Sequence, residues 1–367
     1  FEKFILKCIH KHKIKFIKNT KNTEPQKKVD KHKRLDIFHR CKNLSDSHFL
    51  NTLEFNVFLG AVILLPNYFI ESFWEEYSKA QIIAKELNAI ICSIEFRKSP
   101  QIAMIISLLK ENGKTTVGSQ HGGFYGQTDP SWVERSEHKL FDKYVTWGYV
   151  HRNQDMPLPS IRLSRFRTTN LLTRYFNNKK ICNPKTILVI LPNINYSLSY
   201  NIHSPSFSNQ EQALYNSLIL LKPAVDKGYK IDLRTHPFST IQEYLSILPD
   251  FLKEQAVFQK GTRGTLIKDM KRYEKVFFTT PNATAISECL ANSIVVPIIA
   301  DPEDYYIKKS AYPFYRNLIS DNVWLTNQNQ VAYYLDYLKE LKPDLKSVQE
   351  FKTQFAFSQR NYISYWS

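Results

Sequence analysis

Apolar runs of four to eight residues alternate along this chain with longer stretches of helical spacing, and short loops separate them. Residues 62–65 read as a buried strand closed by Pro66. Residues 69–87 carry Phe69, Phe73, Tyr77 and Ile82 at helical spacing, the mark of an amphipathic helix. A strand over 89–94, a helix over 100–109 and a strand over 115–120 follow, then a short strand over 144–147. A second series opens with a strand over 186–191 and a helix over 210–225 ended by Gly228. Strands over 230–234 and 276–279, a helix over 282–291 and a strand over 294–300 complete it. Helices over 331–341 and 346–357 close the chain. Repeated strand–helix alternation predicts parallel sheets covered by helices on both faces. The expected class is α/β, with two Rossmann-like lobes, a central cleft and closing C-terminal helices.

At 367 residues the chain exceeds what one core usually holds, so two lobes are expected at 53–170 and 184–325, with 326–367 packing back on them. Residues 19–50 are polar, with few apolar positions in register, and read as an irregular arm or linker. So do the basic residues 151–183, with Pro157 and Pro159.

The formal net charge of +16 is uneven: residues 1–43 hold 14 Lys/Arg against 4 Asp/Glu. Phe4, Ile5, Leu6, Ile9 and Ile14 interleave with those lysines. A basic, partly apolar arm suits an anionic membrane surface or nucleic acid, and the alternative is a solvated basic tail. The motifs downstream match no nucleic-acid module, which favours the membrane. The five cysteines form no CxxC pair and no framework spacing, as in a reducing compartment without structural zinc. No apolar run has the roughly 18 residues of a membrane span. Together these point to a cytoplasmic protein peripheral to the inner face of the membrane. Phe1 is not a natural start, which points to a cut N-terminus.

Three motifs sit where strands should end, the place where open α/β sheets bind ligands. In Gln120-His121-Gly122-Gly123-Phe124-Tyr125-Gly126 the glycines allow close backbone approach and positive φ. His121 on such a turn suits a general base, with Gln120 orienting it or the acceptor. Trp147, in Thr146-Trp147-Gly148-Tyr149, is either a wall for a sugar face or core. In Arg234-Thr235-His236-Pro237 the proline presents His236 at the strand end, where imidazole can bind phosphate or protonate a leaving group. Arg234 either pairs with phosphate or points into the helix layer.

The third motif, residues 279–288, is Thr279-Thr280-Pro281-Asn282-Ala283-Thr284-Ala285-Ile286-Ser287-Glu288. It offers hydroxyls and backbone N–H groups at a helix start, with Asn282 as N-cap, which suits a phosphate. Glu288 faces either the cleft or the sheet. Asp301, Glu303 and Asp304 follow a strand end and could accept from a ribose hydroxyl. No histidine lies near them and no DxD spacing occurs, so neither a metal nor another cofactor is expected.

Taken together, the QHGG turn, the Thr-Trp-Gly-aromatic element and the His-Pro motif resemble those of the bacterial transferases of surface-carbohydrate biosynthesis (O-antigen, capsule) named for a leptospiral member, over roughly 53–325. More distantly, the pattern is similar to GT-B glycosyltransferases that use CMP-activated ulosonic acids, the sialyl- and Kdo-transferases. The resemblance implies that His236, Thr279, Thr280 and Thr284 hold the CMP moiety, and Pro237 and Ala283 stand beside them as further candidates for the nucleotide site. It implies a sugar moved to a glycan or lipid-linked acceptor, for which Gln120, Gly122, Gly123, Tyr125 and Trp147 are the candidate contacts. The acidic base motif of sialyltransferases is absent, and His121 stands in its place. CDP-glycerol polymerases of teichoic-acid synthesis share a related plan, so a CDP-polyol phosphotransferase is the alternative, and a non-catalytic scaffold a second one.

Overall fold

The computed structural model describes residues 29–48, 60, 67–129, 131–168, 183–194, 207–262, 264–281, 283–338 and 341–359. It divides into two compact units, Phe1–Val117 and Gly118–Ser367. The strand expected over 62–65 lies outside the described residues.

In the first unit, helix α1 spans Lys31–His48, within the stretch expected to be irregular. The 18 residues contain neither Pro nor Gly, and tertiary ties hold the first turns. Arg34 donates through Nε and Nη2 to Glu71 at 2.7 and 3.0 Å, and the Asp30 amide donates to the same carboxylate at 3.1 Å. The hydrogen bond from Arg34 holds the Glu71 carboxyl below its ordinary range. The helix expected over 69–87 is broken at Glu71–Ser72, and α2 spans Phe73–Glu86. Strand β1 is Ala89–Cys92 and helix α3 is Pro100–Glu111. Ser99 caps α3 by accepting from the Ile102 amide at 3.4 Å, and Pro100 stands where its missing N–H costs nothing. Ile102, Ile105, Ile106 and Leu109 form its buried stripe. Strand β2, Thr115–Ser119, runs across the boundary at Val117/Gly118.

In the second unit, after the end of β2, come α4 (Trp132–Leu140), β3 (Lys143–Thr146), β4 (Asp155–Pro157) and α5 (Ile161–Thr168). β3 and β4 pair in parallel. β4 and α5 lie in the stretch expected to be irregular; residues 169–182 lie outside the described set. Then come β5 (Asn183–Ile190), α6 (Phe207–Ile219), α7 (Lys222–Asp226), β6 (Lys230–Arg234), β7 (Val257–Gln259) and β8 (Tyr273–Phe278). Pro223 breaks the single helix expected over 210–225, because it lacks the N–H a continuous helix needs. The chain ends with α8 (Thr284–Ala291), β9 (Ile298–Ile299), α9 (Tyr312–Ser320), β10 (Trp324–Leu325), α10 (Gln328–Tyr337) and α11 (Lys346–Phe355).

Six strands form a sheet in the order β10-β9-β8-β5-β6-β7, parallel at every pairing. The α/β class and the parallel pairing follow the expectation from alternation. The middle of β5 (Ile187, Leu188, Val189) is fully buried, as a central strand covered on both faces must be. From β5 the chain steps outward through β6 to β7, then returns to the other side of β5 to lay down β8, β9 and β10. The strand order therefore reverses between β5 and β8. That is a doubly wound order, in which the crevice at the reversal is the ligand position.

Candidate active site

The QHGG turn starts at the end of β2. Gln120 is 3% exposed and its amide is engaged on both sides: Nε2 donates to the Gly122 carbonyl at 2.6 Å, and Oε1 accepts from the Trp147 amide at 2.7 Å. Gln120 therefore shapes the turn, where a contact to the acceptor or the imidazole was expected. Gly123 is where the backbone needs the missing side chain. A Cβ there would stand 2.8 Å from Ser287 Oγ and 3.1 Å from Thr284 Cα. That space is used by the backbone: the Gly123 amide donates to Thr284 Oγ1 at 3.1 Å. The first motif thus lies against the start of α8, which belongs to the third. Residues 305–315 strap the turn further. The Asp129 amide donates to the Tyr306 carbonyl at 2.8 Å and the Lys308 amide to the Gln127 carbonyl at 2.9 Å. Glu134, buried on α4, accepts from the Gly126 amide at 3.0 Å and from Lys308 Nζ at 2.8 Å.

His121 Nδ1 lies 2.7 Å from the Tyr125 hydroxyl, which is 2.9 Å from both oxygens of Glu137. Glu137 is fully buried and also accepts from the Tyr144 hydroxyl. Burial, with Tyr125 and Glu137 close by, holds the Tyr144 phenol well above its ordinary range, so it stays a neutral donor. The His121 side chain keeps 20% of its surface exposed. Tyr125, expected at the acceptor, is instead fully buried beneath the histidine.

Trp147 is 2% exposed and packs with Leu163, Ala291 and Ala356. Its ring is core, the second of the two readings the sequence left open, and no wall for a sugar face. The chain passes so close to α11 that a Cβ on Gly148 (φ +120°) would meet the Thr353 carbonyl at 2.1 Å.

β6 delivers Arg234 and His236. The Arg234 guanidinium is buried and directed to one segment: Nε donates to Asp269 at 3.0 Å, and Nη2 to the Thr262 carbonyl at 3.0 Å and Thr265 Oγ1 at 3.1 Å. A side chain pinned this way holds Thr262, Thr265 and Asp269 against the sheet, in place of the phosphate contact expected of it. His236 and Pro237 are half-buried. The Phe238 amide donates to His236 Nδ1 at 3.4 Å, so in the neutral ring the proton sits on Nε2. The turn is fixed beside the end of β5: Tyr244 donates to the Pro192 carbonyl at 2.7 Å and Ser239 to Asn193 Oδ1 at 2.9 Å.

At the end of β8, Thr279 is fully buried and its hydroxyl donates to the Ile190 carbonyl at 3.0 Å. It clips the ends of β5 and β8 together at the reversal of strand order and so is spent within the protein. The Thr279 carbonyl accepts from the Tyr305 hydroxyl at 3.0 Å. Thr280 is 8% exposed. Asn282, the expected N-cap, lies outside the described residues. The residue in the cap position is Ala283 (φ −70°, ψ 133°), which has no side-chain acceptor; its carbonyl accepts from the Ile286 amide at 2.9 Å. Glu288, one turn further, accepts from Arg162 Nη2 at 2.6 Å and ties α8 to α5, an engagement that competes with a nucleotide contact. Asp301 caps a short 3-10 turn through the Glu303 amide at 3.0 Å, and Asp304 accepts from Asn216. Among the described residues no group of three His, Cys, Asp or Glu is placed to hold a metal ion.

Glu134, Glu137 and Tyr305 carry much of this arrangement and escaped the sequence reading. Ser131-Trp132-Val133-Glu134 has the spacing of a capping box, and Ser131 Oγ accepts from the Glu134 amide at 3.3 Å. That signal marks the start of α4, yet nothing in it tells that two acids on the helix turn inward.

No curated protein matches the chain in sequence. Among solved structures it is similar to the S. aureus MnaA–UDP co-structure (8% identity, 80% of this chain and 78% of that one, TM-score 0.43). It is similar also to Acinetobacter baumannii MurG (8%, 80% and 76%, TM-score 0.41) and to Anabaena Alr3699/HepE in complex with UDP (11%, 76% and 78%, TM-score 0.44). The profile of one family matches residues 2–367, nearly the whole chain, and on that match the protein belongs to the LIC12162 family of transferases.

Proposed function

We propose that this transferase is a metal-independent GT-B glycosyltransferase of bacterial surface-polysaccharide synthesis, moving an ulosonic acid from a CMP donor to a glycan or lipid-linked hydroxyl. The observation that carries this reading is the Gly123–Thr284 hydrogen bond, which seats the histidine turn on the start of α8, where Ala283 supplies no side-chain cap, in the unit whose sheet reverses order between β5 and β8. A helix start offers N–H groups and positive potential to a phosphate. In the proposed reaction His121 Nε2 takes the acceptor's proton as the acceptor oxygen bonds to the anomeric carbon. The bond from that carbon to the phosphate oxygen breaks, and CMP leaves. His236, with its proton on Nε2, and the amides of α8 stabilise the leaving phosphate.

The basic residues 1–28 lie outside the described set, and we assign them the attachment to an anionic membrane where lipid-linked acceptors reside. α1 continues them, and Trp74 on α2 is 71% exposed.

Calorimetry across CMP, CDP, UDP, GDP and ADP tests the donor, with binding expected for the cytidine nucleotides. Turnover with CMP-ulosonic acid and CDP-polyol donors then separates the chemistries by the mass the acceptor gains. A polyol-phosphate increment would establish the CDP-polyol phosphotransferase, and no nucleotide binding at all would favour a scaffold. Sedimentation with anionic vesicles tests the membrane assignment.

A further inference from the structure

We propose that Tyr125 and Glu137 are positioning residues that hold His121 with its proton on Nδ1 and its lone pair on Nε2. The inference rests on the reading of His121 as the base and deepens it. Tyr125 has a single O–H, and both oxygens of a buried carboxylate stand 2.9 Å from it. A carboxylate only accepts, so the phenol donates to Glu137. The phenol oxygen then turns its lone pairs toward His121 Nδ1 at 2.7 Å, and the hydrogen in that contact comes from the imidazole. Tyr144 donates to the same carboxylate and so does not compete for the role of acceptor from Tyr125. The chain of donors runs in one direction, from His121 through Tyr125 to Glu137, and it fixes the tautomer a base needs.

Energetics point the same way. A carboxylate with no exposed surface is costly, and two phenol hydrogen bonds offset part of that cost. Glu137 Oε1 lies 3.8 Å from His121 Nδ1. When Nε2 takes a proton, the imidazolium that forms meets this buried negative charge, so the charge favours the protonated product of the base step. Glu134 and Glu137 lie three residues apart on one face of α4. One holds the turn's backbone through Gly126, and the other holds its histidine through Tyr125.

The test uses the full chain with 15N-labelled histidine. Long-range 1H–15N spectra read each neutral ring's tautomer, and His121→Gln assigns the signal. The wild type is expected to show the Nδ1–H form. Tyr125→Phe keeps the ring between Phe124 and Tyr144 and removes only the bridging oxygen. It is expected to shift His121 toward the Nε2–H form and to lower kcat, by up to about 10²–10⁴ with KM nearly unchanged, the range a general base contributes. Glu137→Gln should move both readouts the same way, and circular dichroism verifies that it folds. A wild-type Nε2–H state, or a Tyr125→Phe variant in which either readout stays unchanged, would overturn the proposal. The spectrum needs no substrate: an Nδ1–H state without donor turnover would overturn the transferase reading, not the tautomer assignment.

Discussion

The Gly123 amide donates to the Thr284 hydroxyl at 3.1 Å across 161 positions of sequence. A turn that follows one strand is thereby fastened to a helix that follows another. Gly123→Ala would push a methyl to within 2.8 Å of Ser287 Oγ and 3.1 Å of the α8 backbone. The side chain of Ser287 can rotate; the backbone of Thr284 cannot. We expect a stability loss of about 1–3 kcal/mol from overpacking, read by thermal denaturation. A loss of transfer activity beyond the unfolded fraction should accompany it, because the turn lifts off the helix start.

The two histidines should separate by experiment. His236→Ala is expected to weaken CMP binding by about 1.5–3 kcal/mol, the usual worth of a hydrogen bond to a charged group. His121→Ala should leave CMP affinity intact and lower kcat by about 10²–10⁴. Calorimetry and initial rates on the same preparations distinguish these outcomes. Equal loss of CMP binding in both variants would contradict the division of roles.

Arg234 offers a control on the same strand. Its contacts to Asp269, Thr262 and Thr265 predict a structural defect. Arg234→Ala leaves Asp269 without its cation and should cost roughly 3 kcal/mol of stability. CMP affinity of the folded fraction should be unchanged. A CMP defect in a fully stable Arg234→Ala protein would restore the phosphate contact expected from sequence.

His138 and Asp155 form a fully buried pair at 2.7 Å, with the other ring nitrogen 2.6 Å from the Glu134 carbonyl. Burial alone would raise the Asp155 carboxyl. The His138 hydrogen bond and the amides of His151 and Arg152 outweigh it, and the group is held below its ordinary 3.8. A carboxyl lowered in the folded state adds stability that is complete above the unfolded value and fades as pH falls through the folded one. Asp155→Asn should therefore cost about 3–5 kcal/mol near pH 7, as breaking a buried pair does. The gap to wild type should hold down to about pH 4 and narrow below it, as followed by urea denaturation across pH.

Particular residues show how far the sequence carried. β6 over Lys230–Arg234 was legible to the residue, since charged and apolar positions alternate through Lys230-Ile231-Asp232-Leu233-Arg234 between Gly228 and His236-Pro237. The start of β9 was not: residues 294–296 have strand composition, yet the strand is only Ile298–Ile299, after Pro297. α1 was missed because its helix is stabilised by a distant acid, Glu71, that no local pattern announces. Trp147 read equally as platform or core, and only its neighbours Leu163, Ala291 and Ala356 decided for core.

The same division holds for the site. Glycines, a proline after histidine and hydroxyls before a helix are local devices, and local devices are written in the order of residues. They marked where the chain turns at strand ends and which side chains have useful chemistry. Direction and occupancy of those side chains were settled by partners far along the chain. Arg234 turned to Asp269, Thr279 turned to Ile190, and His121 turned to Tyr125 and, through it, to Glu137. A buried polar group takes whichever partner the packing brings within reach, because leaving it unpaired costs more than almost any alternative. That choice is made only once strands and helices from distant parts of the chain have been laid side by side.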